Sequence, residues 1–260
     1  MSTLPRSAVV TGAAQGVGEA IARRLAREGV GRFLLIDRQH DKLESVAGDL
    51  RASGAEVESL CQDLTDIVAT AAAVSAAVAR MSTVDILVNA AGSTARGGLR
   101  DTTPETFDLV FALNVRAPFF LMQAVTPAMP KGSRIVNICS MLAYGGPPFL
   151  LAYSASKAAL ATLTRGAANT LKRDGVRVFG INLGWTWTPA EQEVQTRIHG
   201  LPEDWAERIG EKQPFGRLLL PEDPAALVAF LVSQDAWMMT GAIIDLDQFV
   251  AGTVDDNPGA

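Results

Sequence analysis

The sequence predicts an α/β protein with a doubly wound parallel sheet of about seven strands and helices on both faces. Short β-branched runs alternate with longer amphipathic runs almost to the end of the chain, which is typical of repeated βαβ units. Runs such as residues 32–37 are apolar through their centre, as in strands that helices cover on both faces. No Pro-, Gly- or Ser-rich linker interrupts the 260 residues, so we expect one domain over residues 1–260.

Each predicted strand is a short apolar run that ends at a polar or glycine-containing turn, and each predicted helix is a longer amphipathic run. We expect strands at residues 8–11, 33–37, 56–61, 86–89, 134–140, 176–183 and 243–246. We expect helices at residues 18–28, 41–53, 66–81, 104–129, 152–174 and 224–234. Two segments depart from this alternation: residues 185–216 are predicted to form a small substrate lid, and residues 248–260 an acidic C-terminal tail.

Composition and charge exclude several classes of protein. The formal net charge is −5 with no basic stripe, so we expect no nucleic-acid partner. Cys61 and Cys139 are too few for a disulfide framework, which favours a reducing, cytoplasmic location. Residues 1–10 lack an apolar run of signal-peptide length, and we expect no stretch that approaches the ~20 apolar residues of a membrane span. With two histidines and no clustered Cys/His motif, we expect no metal.

A glycine-rich turn follows the first predicted strand. The run Thr11-Gly-Ala-Ala-Gln-Gly-Val-Gly18 leads directly into the first predicted helix. Glycine lets a pyrophosphate approach the main chain, where the free N–H groups and the positive dipole end of the helix attract it. A tight connection without a ligand is the alternative, because the spacing of Gly12, Gly16 and Gly18 differs from the common G-x-G-x-x-G fingerprint.

Asp37 ends the second predicted strand, where dinucleotide-binding proteins place an acid that accepts hydrogen bonds from the adenosine ribose. A carboxylate there repels the 2′-phosphate of NADP, although Arg38 beside it partly offsets the repulsion. We therefore expect NAD, with NADP less favoured; the alternative for Asp37 is a capping role. Similar strand-end positions, where open α/β sheets bind ligands, are Asp63, Leu64, Asn89, Ala90 and Gly92.

Tyr153 and Lys157 lie one helical turn apart in the helix that follows Ser140. An ammonium at this spacing favours the phenolate, and an oxidised nicotinamide nearby would act in the same direction. We therefore predict that the pKa of Tyr153 falls from about 10 toward 7 to 8, which makes Tyr153 a general base. A Tyr-x-x-x-Lys pair alone is more often an exposed helix pair. The other motifs favour the catalytic interpretation.

Taken in order, these residues resemble the short-chain dehydrogenase/reductase family over nearly the whole chain. The resemblance rests on Thr11-Gly-x-x-x-Gly-x-Gly18, Asp37, Asp63-Leu64, Asn89-Ala-Ala-Gly92, Asn114, Ser140, Tyr153-x-x-x-Lys157 and Asn182 with Gly184. It implies a Rossmann-type sheet and an NAD(P)-dependent oxidoreductase that acts on CH–OH or carbonyl groups. It also implies a homo-oligomer, a tetramer or a dimer, formed through the helices at 104–129 and 152–174.

The resemblance implies a catalytic tetrad of Asn114, Ser140, Tyr153 and Lys157. Tyr153 would exchange a proton with the substrate oxygen that Ser140 holds. Lys157 would bind the nicotinamide ribose, and Asn114 would hold a water that continues a proton relay. The implied cofactor-binding residues are Gly12, Gln15, Gly16, Val17, Gly18, Asp37, Arg38, Asp63, Leu64, Asn89, Ala90, Gly92, Tyr153, Lys157, Gly184, Thr186 and Thr188.

Two stretches depart from the family pattern. Asn182-Leu183-Gly184 has leucine where the family has proline, so we expect a looser turn. Asp245-Leu-Asp-Gln248 replaces the usual Val-Asp-Gly-Gly, so we expect different contacts from the C-terminal segment.

The residues expected around the substrate favour a small sugar, sugar acid or polyol. Trp185 and Trp187 offer flat apolar faces, and Arg96 and His199 offer polar groups beside Ser140 and Tyr153. Glu191 and Gln192 offer further hydrogen bonds. Packing of the lid is the alternative role for the two tryptophans. The alternative functions are a dehydrogenase for a steroid or other cyclic ketone or alcohol, and a non-catalytic NAD(H)-binding sensor or scaffold.

Overall fold

The computed structural model describes residues 6–253, and a seven-stranded parallel sheet lies at its centre. The strands are β1 (Arg6–Thr11), β2 (Val30–Asp37), β3 (Glu56–Cys61), β4 (Ile86–Asn89), β5 (Arg134–Ile138), β6 (Arg177–Leu183) and β7 (Ile243–Leu246). Their order across the sheet is β3-β2-β1-β4-β5-β6-β7. The predicted fold class is confirmed.

Helices cover both faces of the sheet. The α-helices are α1 (Gly16–Arg27), α2 (His40–Ala52), α3 (Ile67–Met81), α4 (Pro104–Phe111), α5 (Ala117–Val125), α6 (Leu151–Leu171), α7 (Pro189–Glu193), α8 (Trp205–Gly210) and α9 (Glu222–Leu231). The segment predicted to be a lid contains α7, a π-helical turn at Val194–Ile198 and α8.

Alternate residues of the five inner strands enter two apolar cores, one on each face of the sheet. In β1, Ala8 and Val10 face the core that includes side chains of α1 and α9, whereas Val9 faces the core that includes side chains of α3 and α5. Parallel strands with helices on both sides have no solvent-facing surface. This double burial explains why the strands are apolar on both faces.

The strand order reverses between β1 and β4. The chain winds from β1 outward to β3 and then returns to β4 on the other side of β1. In open α/β sheets, ligands bind in the crevice outside the carboxyl ends of the strands at such a reversal. The turns that follow the parallel strands therefore bring the predicted site residues to one edge of the sheet.

The helix predicted at residues 104–129 is interrupted. Between α4 and α5 the chain makes a π-helical turn at Ala112–Arg116, and a 3₁₀ turn at Thr126–Ala128 follows α5. A period of 3.6 residues does not anticipate this wider turn. Asn114 lies within it and is fully buried.

The expectation that no stretch approaches the length of a membrane span is wrong by length and composition. The stretch Pro104–Ala128 has 25 residues and a mean hydropathy of 1.4, enough to cross a bilayer on those two criteria. Core helices of globular domains meet the same criteria. Here Ala117, Leu121 and Val125 are almost fully buried in the core that α3 shares, which accounts for much of the apolar character.

Other boundaries differ from the prediction by a few residues. β1 and β2 begin earlier than expected, at Arg6 and Val30, and β5 ends at Ile138 rather than at residue 140. Ser140 leaves the strand because it caps a 3₁₀ turn: its Oγ accepts a hydrogen bond of 3.1 Å from the Leu142 N–H.

The close approach of α1 to the turn after β1 gives a test of the fold. A Cβ at Gly18 would lie 2.7 Å from the carbonyl carbon of Gly12, a backbone atom that cannot move aside. Gly18→Ala should therefore lower the free energy of unfolding by about 1–3 kcal/mol, measured by urea denaturation.

Gly48→Ala is the matched control for this substitution. Gly48 lies within α2, and nothing lies within 4 Å of the position a Cβ would take. The same added methyl group should raise the free energy of unfolding by about 0.5–1 kcal/mol, because alanine favours the helix. Equal effects of the two substitutions would contradict the close packing at Gly18.

Candidate active site

A cavity of about 380 Å³ lies at the carboxyl ends of the strands where the strand order reverses. Twelve of the predicted cofactor-binding residues line it: Gly12, Gln15, Gly16, Val17, Gly18, Asp37, Arg38, Asp63, Leu64, Ala90, Gly92 and Thr188. The first α-helix begins at its wall. The structure therefore brings most of the predicted cofactor set together around one space.

The glycine-rich turn lies in the cavity wall and packs closely against the turn that follows β4. Gly12 has φ +66°, and a Cβ there would lie 2.8 Å from the Ala91 nitrogen. No side chain caps the N-terminus of α1 at Gln15, whereas Thr103 caps α4 and Asp66 caps α3. The first N–H groups of α1 therefore remain available to an anionic group such as a pyrophosphate.

Two backbone N–H groups hold the Asp37 carboxylate in the cavity wall. Oδ1 accepts a hydrogen bond of 3.0 Å from the Gln39 N–H, and Oδ2 accepts one of 3.2 Å from the Ala14 N–H. Two cations lie close by. Arg38 is exposed and also lines the cavity, and the Lys42 ammonium donates to Gln15 Oε1 at 2.6 Å.

Asn89 does not line the cavity, although the sequence places it in the cofactor set. Its side chain is buried, and Nδ2 donates a hydrogen bond of 2.8 Å to Asn137 Oδ1. Asn137 in turn donates to the Thr164 hydroxyl at 2.9 Å. Asn89 therefore braces β4 against β5 and α6 beneath the site, because its strand position turns the side chain into the protein.

Gly184 and Thr186 also lie outside the cavity lining. Gly184 leaves room for the Asp247 carboxylate, which lies against it, and the Thr186 hydroxyl donates to the Gly184 carbonyl at 3.0 Å. Of the three residues predicted after β6, only Thr188 lines the cavity. The C-terminal segment, one of the two stretches that depart from the family pattern, takes the space beside Gly184.

Lys157 joins α6 to the end of β5. Its ammonium is buried and donates a hydrogen bond of 2.8 Å to the carbonyl oxygen of Ile138. The same nitrogen lies 5.7 Å from the centre of the Tyr153 ring, and it would be 3.5 Å from a Cβ at Gly92 in the cavity wall. Burial lowers the pKa of Lys157 to about 8. The ammonium is therefore placed between the phenol and the cavity.

The pKa of Tyr153 moves in the direction opposite to the prediction. Burial raises it to about 12, the interaction with the Ser140 hydroxyl opposes that rise, and Cys139 and Glu191 add to it. The sequence pointed to Lys157 as the dominant influence, but desolvation of the phenol has the larger effect. In the protein alone Tyr153 is a protonated phenol at neutral pH.

Both the oxygen and the nitrogen of the Asn114 side-chain amide form hydrogen bonds within the protein. Nδ2 donates to the Ser93 carbonyl at 2.9 Å and to the Ser156 hydroxyl at 3.0 Å, and Oδ1 accepts from the Ser93 N–H at 2.8 Å. The predicted role of Asn114 in holding a water stays a prediction. Asn114 joins the π-helical turn to α6 and to Ser93, which lines the cavity.

The two tryptophans expected to face the substrate build the lid. Trp185 stacks on Trp205 with ring centres 5.7 Å apart, and its Nε1 donates to Glu191 Oε1 at 3.0 Å. Trp187 Nε1 donates to Gln192 Oε1 at 3.2 Å. Lid packing, the alternative weighed from the sequence, accounts for these contacts. Trp185 nevertheless remains 43 % exposed and keeps a free surface.

The other two substrate candidates lie apart from this cluster of lid contacts. His199 is exposed at the end of the π-helical turn Val194–Ile198. The Arg96 guanidinium lies over the Phe149 ring, 5.0 Å from its centre. Their chemistry alone suggested a substrate role, and the structure adds no contact between either residue and the tetrad.

The C-terminal segment holds the end of the lid. The Gln248 side chain accepts a hydrogen bond from the Phe215 N–H at 2.8 Å and donates one to the Arg217 carbonyl at 2.6 Å. Asp245 accepts hydrogen bonds from Asn182 and Tyr144. Residues 254–260, most of the predicted acidic tail, lie outside the described residues.

Within 6–253, no group of three or more His, Cys, Asp or Glu side chains is arranged to hold a metal ion.

Comparison with known proteins identifies the family. A family model described as Enoyl-(Acyl carrier protein) reductase matches residues 12–248. The granaticin polyketide synthase putative ketoacyl reductase 1 of Streptomyces violaceoruber is 34% identical over 247 residues, which cover 92% of this chain and 90% of that protein. The chain belongs to the short-chain dehydrogenase/reductase family. Gluconate 5-dehydrogenase of Gluconobacter oxydans (strain 621H), another relative, is 32% identical over 242 residues, 92% of each chain.

Solved structures share the whole fold with this short-chain dehydrogenase/reductase. A dehydrogenase/reductase from Sinorhizobium meliloti 1021 is 35% identical with a TM-score of 0.83, over 94% of both chains. A short chain dehydrogenase from Burkholderia cenocepacia J2315, in complex with NADP, is 31% identical with a TM-score of 0.84, over 94% of this chain and 96% of that one. L-sorbose reductase from Gluconobacter frateurii, complexed with NADPH and L-sorbose, is 28% identical with a TM-score of 0.87, over 96% and 97%. The protein is an oxidoreductase of this family.

Several residues at the site were not singled out from the sequence. Gln39, Gln62, Thr65, Ala91, Ser93, Leu109, Leu113 and Ala190 also line the cavity. Most of them follow directly on a predicted strand-end residue, so the positions of the predicted turns could have identified them as cavity-lining residues. Leu109 and Leu113 come from α4 and the π-helical turn, where nothing in the sequence marks a cavity wall.

The buried ammonium of Lys157 should lower the stability of the protein while serving its site. Its pKa of about 8 lies below the usual 10.5, so burial disfavours the charged form by up to about 3 kcal/mol. Losing the hydrogen bond to Ile138 costs about 1 kcal/mol. Lys157→Met should therefore raise the free energy of unfolding at pH 7 by about 1–2 kcal/mol and abolish turnover.

The pH dependence of this effect separates charge from packing. Below pH 8 the ammonium is protonated in both the folded and the unfolded chain, and the penalty is complete. As the pH rises from about 8 to 10.5 the folded protein loses the proton first, so wild-type stability recovers relative to the variant. Urea denaturation of both proteins across this range is the measurement. If the difference in the free energy of unfolding between wild type and Lys157→Met stays constant with pH, the buried charge of Lys157 is not its cause.

Proposed function

We propose that the protein is an NAD(P)-dependent dehydrogenase or reductase that interconverts a secondary alcohol and a carbonyl group, with Tyr153 as the proton-transferring residue. The observation that carries this proposal is the position of the buried Lys157 ammonium, which lies 5.7 Å from the centre of the Tyr153 ring and close to Gly92 in the cavity wall. Burying a cation costs desolvation free energy, and its place beside a half-buried phenol supports a catalytic role for the pair.

The cavity residues fit a nicotinamide dinucleotide. The uncapped start of α1 suits the pyrophosphate, the glycine-rich turn places main chain in the cavity wall, and the Asp37 carboxylate can accept hydrogen bonds from ribose hydroxyls. When bound, the cofactor supplies or accepts a hydride at C4 of its nicotinamide ring.

The side chains of this chain then handle the proton and the orientation of the substrate. Tyr153 donates its phenolic proton to a carbonyl oxygen, or removes one from an alcohol, and Ser140 hydrogen-bonds the same oxygen. Lys157 is largely protonated at neutral pH, and its charge stabilises the phenolate that remains after proton donation. Because burial keeps the resting phenol protonated, the free protein is prepared for carbonyl reduction.

Tyr153→Phe tests the assignment of the proton donor. The ring and its packing stay, but the exchangeable proton is lost, so kcat should fall by about 10²- to 10⁴-fold. Cofactor affinity, measured by quenching of tryptophan fluorescence, should change little. Turnover near the wild-type rate would overturn the assignment of Tyr153.

We infer that the substrate is a small polyhydroxylated molecule such as a sugar, a sugar acid or a polyol. The polar groups of the lid support this, and so do the names of two relatives, gluconate 5-dehydrogenase and L-sorbose reductase. A ketoacyl or cyclic ketone remains the second candidate, because one relative is named as a polyketide ketoacyl reductase. Spectrophotometric screening of ketoses, polyols, gluconate and cyclic ketones separates the two.

We also propose NAD as the preferred cofactor, although two of the three solved structures described above are complexes with NADP or NADPH. Asp37 lies in the cavity wall and its carboxylate repels a 2′-phosphate. Arg38 and Lys42 nearby reduce that repulsion, so the preference is expected to be moderate.

Asp37→Ala tests the cofactor preference. Removing the carboxylate leaves Arg38 and Lys42 unopposed, so the ratio of kcat/KM for NADP to that for NAD should rise by about 10- to 100-fold. Asp63→Asn, at the next strand end, changes the charge equally and should move the ratio less. A wild-type enzyme that already prefers NADP, with a ratio unmoved by Asp37→Ala, would refute the proposal.

A homo-oligomer and a cytoplasmic location complete the proposal. Phe107, Phe119 and Phe120 are exposed along the helical stretch from 104 to 128, which supports a contact between subunits there, in a tetramer or a dimer. Both cysteines are free, which agrees with a reducing compartment.

A further inference from the structure

Gln192, in α7, joins the parts of the lid through both halves of its side-chain amide. Its Oε1 accepts hydrogen bonds from two indole groups, Trp205 Nε1 at 2.7 Å and Trp187 Nε1 at 3.2 Å. Its Nε2 donates to the carbonyl oxygen of Glu203 at 3.1 Å and to Glu203 Oε2 at 2.8 Å. One amide therefore connects the chain just before α7 to the chain at the start of α8.

The two indole donors are themselves held in place. Trp205 is 1% exposed and stacks on Trp185. The backbone of Trp187 is fixed at the base of the lid, where its N–H donates to the Leu219 carbonyl at 2.8 Å. Since a buried N–H group that loses its acceptor costs free energy, both indoles depend on the Gln192 oxygen. Gln192 thereby sets the position of α7 relative to α8 and to the base of the lid.

The same short helix forms part of the cofactor cavity. Thr188, which caps α7, and Ala190, in its first turn, both line the cavity. Thr188 lies against the glycine-rich turn, because a Cβ at Gly16 would be 3.3 Å from Thr188 Cγ2. The Gln192 N–H donates to the Thr188 carbonyl at 2.8 Å. The residue that joins the parts of the lid is thus bonded directly to the cavity wall.

This part of the wall lies away from the adenosine end of the cavity. Asp37 ends β2, whereas Thr188 and Ala190 follow β6, on the other side of β1 in the sheet. With the adenosine ribose at Asp37 and the pyrophosphate at the start of α1, the nicotinamide half of the dinucleotide extends toward α7. The lid therefore contributes to the binding of that half.

We propose that Gln192 is a positioning residue that fixes the cofactor-facing end of the lid, so that Thr188 and Ala190 are in place before the dinucleotide binds. This inference rests on the proposed function. A cavity wall that is ordered in advance loses little conformational entropy when the cofactor arrives, which strengthens binding. Gln192 acts through Thr188 and Ala190, and no bond forms or breaks at its own atoms.

Gln192→Met is the first test, because methionine keeps the length of the side chain but neither accepts from the indoles nor donates to Glu203. The dissociation constant of NADH, measured by isothermal titration calorimetry, should rise about tenfold. The dissociation constant of ADP, which lacks the nicotinamide half, should change by less than about twofold. A general disruption of the cavity would weaken both ligands alike.

Gln213→Met is the matched control. Gln213 is also a half-buried residue of the lid segment, but it forms one side-chain hydrogen bond, of 3.4 Å, to the Ile209 carbonyl one helical turn before it. The same substitution should leave the dissociation constants of NADH and ADP unchanged.

A reversed pair of side chains tests the hydrogen bonds directly. Gln192→Glu keeps an acceptor for both indoles but places a second carboxylate against Glu203, so NADH binding should weaken. Adding Glu203→Gln restores a donor and an acceptor with their roles exchanged, and NADH affinity should return to within about threefold of wild type. A residue that acts only through its volume would show no such rescue.

Hydrogen exchange of the tryptophan indole N–H groups, followed by NMR, reports on the lid itself. Exchange at Trp187 and Trp205 should be slow in wild type and faster in Gln192→Met, and NADH should slow it again in the variant. Trp237, which packs on Arg177 at the amino end of β6, should be unaffected. Single Trp→Phe substitutions identify the signals.

The outcomes separate this inference from the proposed function. If wild type binds NADH and Gln192→Met binds it equally well, or if NADH and ADP weaken together, the role of Gln192 is overturned while the oxidoreductase stands. If Gln192→Met does not fold, the reversed pair decides, and absence of rescue overturns the role. A wild type that binds neither NADH nor NADPH overturns both this inference and the proposed function.

Discussion

The hydrogen bond between the Lys157 ammonium and the Ile138 carbonyl is the interaction on which the geometry of the site depends. It fixes the start of α6, with Tyr153, against the end of β5, which leads into Ser140. The buried chain Asn89–Asn137–Thr164 ties the same helix to β4 and β5 from below. Because buried polar groups must find partners, these bonds permit only one relative placement of helix and strands.

Burial of the Lys157 ammonium lowers the stability of the fold, and the proposed proton transfer by Tyr153 explains why the protein keeps it. A core built for stability alone would fill the position of Lys157 with an apolar side chain, since burial disfavours its charged form. The protein retains an ammonium beside a phenol at the cavity wall. The net charge of −5, by contrast, has little influence on binding an anionic cofactor, because backbone N–H groups at the start of α1 and local cations do that work.

Much of the fold and of the cofactor site could be predicted because their signals are local. The run from Thr11 to Gly18 and the strand-end Asp37 each carry their meaning in a few neighbouring residues, and parallel strands bring them to one edge. The side-chain contacts of Asn89 and Asn114 could not be predicted because their partners lie far along the chain. The upward shift of the Tyr153 pKa in the protein alone was missed for a similar reason: the sequence shows the spacing to Lys157, but not the desolvation of the phenol.

The lid is the part that sequence could describe least. The sequence indicates that its tryptophans offer aromatic surface. In the structure their indole N–H groups donate hydrogen bonds to Glu191 and Gln192, which join aromatic and polar side chains into one rigid unit. Gln248 fastens the end of this unit through both halves of its amide. Such contacts arise only when segments separated in sequence fold together.

The proposed function requires that hydride passes between the nicotinamide and a substrate carbon beside Tyr153. Reduction of a ketose with NADH deuterated at C4 on the transferred face, followed by mass spectrometry and NMR of the product, tests it most directly. With labelled NADH in ordinary water, we expect deuterium on the newly formed carbinol carbon. With unlabelled NADH in deuterated solvent, we expect no deuterium on that carbon. Cofactor binding without deuterium in any product across the substrate screen would contradict it.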